Sequence, residues 1–64
     1  MKRQALLKHL RAHGCELIRE GAMHSWWGHE ENDTRSAVPR HAEVSNELVK
    51  KICKELGIEA PKSR

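Results

Sequence analysis

From Val44 to Gly57 the chain carries one bounded amphipathic helix, and that segment sets terms for everything else in the fold. Ser45 is placed to cap its first turn, with Val44 at N′ and Val49 at N4 in the hydrophobic-staple arrangement. Leu48, Val49, Ile52, Cys53 and Leu56 make a single apolar stripe, and Gly57 follows where a left-handed residue ends a helix. Such a stripe needs an apolar surface to lie on. The 64-residue chain has six Leu, three Ile, three Val, two Trp, two Met and six Ala from which to build one. A domain of this size buries only about 60% of the surface its unfolded chain exposes. One helix-on-sheet core is therefore the expectation, with any activity on a surface or in a shallow groove that a partner chain can complete.

The preceding segments supply the other layer. Arg3 to His13 reads as a helix with Leu6, Leu7 and Leu10 clustered on one face beside Ala5, and Gly14 stands at its C-terminal stop. Cys15 to Arg19 reads as a strand, Cys15 and Leu17 on one face and Glu16 and Ile18 on the other. Glu20-Gly21 reads as a tight hairpin turn in which glycine tolerates positive φ. Met23 to Trp27 is the second strand. A polar connector, residues 28–33, leads to a third strand, Thr34 to Val38, stopped by Pro39, which offers no N–H to a ladder. The fold class is α+β, in the order α-β-β-β-α. Residues 1–58 form a single domain, and residues 59–64 are expected to be a flexible tail.

The formal charge of +3, from 12 Lys and Arg against 9 Asp and Glu, suits a polyanionic partner but supports nucleic-acid binding only weakly. Cys15 and Cys53 form no CxxC pair and are expected to be buried thiols rather than a disulfide. No continuous apolar run of a signal peptide follows Met1-Lys2-Arg3, and no stretch approaches the roughly 20 apolar residues of a membrane span. A cytoplasmic location is the expectation.

His9 and His13 have the i, i+4 spacing of a zinc pair, but a stable site wants three or four ligands, so a solvated helix face is the stronger reading and no metal is expected. Trp26 and Trp27 occupy adjacent strand positions, so one should enter the core and the other face outward. The outward indole suits stacking on an unpaired base and equally a protein interface. Arg40 and His41 follow Pro39; Arg40 could fork onto a phosphate and His41 could assist proton transfer, while loop capping by both is the stronger reading. A lone strand histidine such as His24 is more often structural than catalytic. RNA cleavage, however, needs little equipment, because the 2′-OH is the nucleophile. An acid and a base, each giving about 10²–10⁴-fold, with cations near the phosphorane, would suffice.

Several stretches together resemble the HicA-type toxins of HicA/HicB toxin–antitoxin systems: Lys2-Arg3 with Leu6-Leu7, His13-Gly14-Cys15-Glu16, Arg19-Glu20-Gly21, His24, Val38-Pro39-Arg40-His41, and residues 51–58. The likeness runs from about the first residue to about Pro61. It implies a double-stranded-RNA-binding-domain-like fold, a three-stranded antiparallel sheet with two helices on one face. It implies an mRNA endoribonuclease that arrests growth by blocking translation, and a HicB-type antitoxin that covers the active site in a hetero-oligomeric complex; because RNA supplies its own nucleophile, no metal or other cofactor is expected. In the family, the histidine after the turn glycine carries toxicity, which here is His24; Pro39 and His41 are family-typical. Ala22 and Met23 depart from the Gly or Ser that the family form often has there.

Lys2, Arg3, Arg35 and Arg40 are the candidate phosphate contacts, Trp26 the candidate base platform and His41 the auxiliary group. His24 must be reachable to act, so Met23, Ser25 and Trp27 should be buried and Trp26 should share the face of His24. The alternative is a non-catalytic duplex-binding module, which would read A-form shape across about 16 base pairs. The absence of a lysine cluster at Ser45-Asn46-Glu47 weakens it. A chain serving mainly as half of a protein complex is a third reading, compatible with the first.

Overall fold

The computed structural model describes residues 1–61 and places α1 at Arg3–Ala12, β1 at Cys15–Glu20, β2 at His24–His29, β3 at Thr34–Pro39 and α2 at Asn46–Leu56. The three strands form one antiparallel sheet in the order β1-β2-β3, so β2 is central. This is the α-β-β-β-α order and α+β class expected from the sequence. Positions 62–64 of the expected tail lie outside the described residues; within it, the Glu59 carbonyl oxygen lies 2.7 Å from His9 Nε2.

The α2 boundaries follow from local chemistry. Ser45 Oγ accepts from the Leu48 N–H at 3.2 Å, and Gly57 closes the helix at φ 75°. There the Ile58 N–H reaches Cys53 O and the Gly57 N–H reaches Lys54 O, the paired bonds of a Schellman motif. Two side chains from the β2–β3 turn region add to this end: Thr34 Oγ1 donates to Leu56 O at 2.8 Å, and Asn32 Nδ2 donates to Leu56 O and Gly57 O. Gly14 likewise ends α1, at φ 85°.

The core joins Leu6 and Leu10 of α1, Cys15, Trp27 and Val38 of the sheet, and Val44, Val49, Ile52, Cys53 and Leu56 of the C-terminal segment. Both cysteines are buried and free. Met1, Lys2 and Arg3 are stitched to the β3–α2 connector: Val44 N–H donates to Met1 O, Arg3 N–H to Ala42 O, and Lys2 bridges Glu43.

Some expectations need correction. Ser25 and Trp27 are buried as predicted, but Met23 is 75% exposed, because β2 begins only at His24 and Met23 belongs to the turn. β2 also runs on to His29, which pairs with Thr34, so Gly28 and His29 are strand residues rather than connector. Ala5 is exposed, outside the α1 stripe that Leu6 and Leu10 bury. Leu17 lies opposite Trp27, on the helix side of the sheet, yet stays 44% exposed at the edge strand. Between Leu17 and Arg19 the register shifts: Leu17 pairs with Trp27 and Arg19 with Trp26, which leaves Ile18 as the extra residue of a bulge.

Candidate functional site

His24 opens β2 and its side chain is exposed, while its neighbours Ser25 and Trp27 are buried under the helices. Alternation therefore sends His24 and Trp26 to the opposite, uncovered face of the sheet, Trp26 half-buried there.

The turn before His24 is held closely. The Gly21 N–H donates to His24 O at 2.8 Å, and a Cβ at position 21 would stand 2.9 Å from that oxygen. Among the described residues positive φ occurs at Gly14, Asp33 and Gly57, and not at Gly21. Glycine is required here by close backbone approach, which corrects the expectation that this turn uses its conformational freedom.

A chain of polar contacts then crosses beneath the turn. Arg3 donates through Nη2 to Ser25 Oγ at 2.8 Å and through Nε to Pro39 O at 2.9 Å. Ser25 Oγ donates to Glu20 Oε1 at 2.6 Å. Arg40 Nη2 reaches the same carboxylate oxygen at 2.7 Å and Gly21 O at 2.7 Å. Buried Ser25, with 0% exposure, thus links α1, both strands of the hairpin and the segment after β3. Arg3 and Arg40, singled out as phosphate contacts, are engaged in this brace; for Arg40 the loop-capping reading is the one the geometry displays. Nothing in the sequence marked Glu20 and Ser25 as members of this brace, because Arg3 and Arg40, which tie them in, lie 22 and 20 residues away.

Around the β3 edge runs a groove of about 360 Å³, with His24, Trp26, Arg35, Pro39, Lys51 and Glu55 among its lining residues. It brings together three of the singled-out residues, His24, Trp26 and Arg35. Lys51 of α2 was missed. It sits beside the apolar stripe, immediately before Ile52, and that flanking position was the only signal available. Glu55 accepts from Ser36 Oγ at 2.6 Å, so its carboxylate is committed to the groove wall. Lys2 is exposed by the Lys2–Glu43 bridge, outside this groove. His41 is exposed two residues beyond Pro39, whose ladder partner is His24.

His9 and His13 stack with ring centroids 4.2 Å apart, and His13 Nδ1 lies 3.0 Å from His9 O. No group of three or more metal-capable side chains occurs among the described residues. Among those residues no helix is long and apolar enough to cross a membrane.

The arrangement offers one exposed imidazole on a braced turn, two cations in the adjoining groove and an indole beside them. These are the parts for proton transfer next to a bound anion. A family model described as HicA toxin of bacterial toxin-antitoxin matches residues 3–58. No curated protein and no solved structure matches significantly.

Proposed function

The chain belongs to the HicA toxin family, the toxin half of bacterial toxin–antitoxin systems, and on that premise we propose that it is an mRNA endoribonuclease whose proton carrier is His24. The observation that carries this reading is the groove that the exposed His24 imidazole lines together with Arg35 and Lys51. In the proposed reaction the substrate's 2′-OH attacks the adjacent phosphorus and the P–O5′ bond breaks. A 2′,3′-cyclic phosphate and a free 5′-OH result.

His24 either takes the 2′-OH proton or delivers one to the departing 5′ oxygen, a role worth about 10²–10⁴-fold. Arg35 and Lys51, the cations of the same groove, are proposed to face the negative charge that gathers on the phosphorane, and fixed cations there lower the barrier further. His41 is proposed as the auxiliary proton group, since at most about 7 Å of chain separates it from Pro39, the ladder partner of His24. Because RNA supplies its own nucleophile, this chemistry requires no metal-activated water, and cleavage is expected to persist in a chelator.

A HicB-type antitoxin would neutralise the toxin by covering the uncovered sheet face, forming a hetero-oligomer in the cytoplasm. Expression of the chain and of its His24→Ala variant, read by growth arrest and transcript cleavage, tests the assignment. The variant should lose at least 100-fold of the cleavage rate, on the order of one acid–base contribution, while keeping its folded circular dichroism. Equal toxicity from both chains would remove His24 from the mechanism.

A further inference from the structure

Beside the His24 groove lies a second recess of about 260 Å³, lined by Ile18, Arg19, Trp26 and Arg35. Trp26 and Arg35 line both, so the two share a wall. We propose that this recess is a nucleobase subsite: an unpaired RNA base stacks on the Trp26 indole, while Arg19 and Arg35 hold the phosphates on either side of it. The inference rests on the ribonuclease reading and adds which residues hold a base next to the reacting phosphate.

The β1 bulge is the device that builds the recess. Leu17 pairs with Trp27 and so lies on the helix side of the sheet. Unbroken alternation would put Arg19 on that side as well. The extra residue at Ile18 instead sets Arg19 opposite Trp26, on the uncovered face. It also leaves Ile18 55% exposed over Gly28, where a Cβ would meet Ile18 Cδ1 at 2.5 Å. An exposed isoleucine and a half-buried indole thus stand between two arginines. Neither arginine forms an ion pair among the described residues. A recess this small and shallow suits one planar ring.

Charge selects the path across the sheet. Beyond Gly28 a further recess of about 240 Å³ carries Glu16, Glu30 and Asp33 against Arg35 alone, an acidic excess that repels a polyanion. Arg19 and Lys51 lie away from it, with Arg35 at the boundary, so a single strand is directed past Trp26 and into the groove of His24. Stacking on an indole tolerates every base, and the polar edges of the recess decide which is preferred.

The test uses the His24→Ala chain, which binds without cleaving, titrated with an unstructured single-stranded oligoribonucleotide while tryptophan fluorescence is followed. Quenching is expected from Trp26, and Trp26→Phe should abolish it, since Trp27 is buried. Affinity should fall about 5- to 150-fold for Trp26→Ala. Arg19→Ala, at an exposed position, should keep the fold by circular dichroism and reduce the salt dependence of binding by about one phosphate. In the His24-bearing chain, Arg19→Ala should shift the mapped cleavage sites. Quenching that survives Trp26→Phe, or cleavage sites and affinity unchanged by Arg19→Ala, overturns the subsite and leaves the ribonuclease reading standing. Absence of cleavage by the His24-bearing chain overturns the ribonuclease reading itself, whatever the binding result.

Discussion

Ser25 is where the residue scale decides most, because its hydroxyl receives from Arg3 and donates to Glu20 while fully buried. Removing it leaves a part-buried guanidinium and a carboxylate each short of a partner. Bonds to charged groups are worth about 1.5–3 kcal/mol net, so Ser25→Ala should destabilise the chain by about 2 kcal/mol in urea unfolding. Arg40→Ala breaks the Arg40–Glu20 ion pair while leaving the Ser25–Glu20 bond, and such a pair, with side chains 45% and 52% exposed, contributes only about 0–1 kcal/mol. The order of the two effects is the check: a larger loss for Arg40→Ala would mean that the surface arginine, and not the buried hydroxyl, secures the His24 turn. A period of two showed beforehand that His24 and Trp26 share a face, but it left open which face the helices cover, and only the need for His24 to be reachable chose between them. The brace was not legible, since the partners of Arg3 lie 22 and 36 residues away and no local pattern reports them.

Elements were legible wherever their boundaries depend on neighbours in sequence. Ser45 and Gly57 mark the ends of α2 as the sequence predicts, and each acts within its own turn. β2 escaped at both ends, because Met23 drops out with the turn and His29 is drawn in by Thr34, a partner in another strand. The β1 bulge escaped for the same reason: register exists only between strands. A consequence at this scale is that the two caps of α2 differ in weight. Ser45→Ala removes one hydrogen bond, about 1 kcal/mol. Gly57→Ala puts a Cβ at a φ of 75°, which alone costs about 1–2 kcal/mol, and also drives it to 2.6 Å from Asn32 Nδ2. Asn32 must then give up its hold on Leu56 O and Gly57 O. For a domain this small each kcal/mol moves Tm by about 4–8 °C, so Gly57→Ala should lower Tm by about 10 °C or more and Ser45→Ala by about half that. Equal shifts in thermal melts would show that the Asn32 contact carries nothing.

For the whole molecule the α+β order followed from two end helices that had only a short sheet to cover, and the consequence is a single core with both thiols inside it. Burial pushes the Cys15 thiol above its ordinary value of 9.0, and nearby Cys53 pushes it in the same direction. Burial does the same to Cys53. The unfolded chain therefore releases these protons at lower pH than the folded one. Below pH 9 both states hold them and stability gains no slope from the thiols. Above it the unfolded state ionises first, binds fewer protons than the native state, and stability falls as pH rises toward the folded values. The chain carrying both Cys15→Ala and Cys53→Ala should be less stable throughout, from the cavities it creates, yet should lack that part of the alkaline decline. Reaction with a thiol-selective reagent at neutral pH should be slow in the native chain and should follow its opening, since the thiolate is the reactive form and water does not reach it. Rapid labelling of either cysteine in folded protein, or an alkaline slope that survives both substitutions, would mean that the core of this small domain opens far more readily than its packing requires.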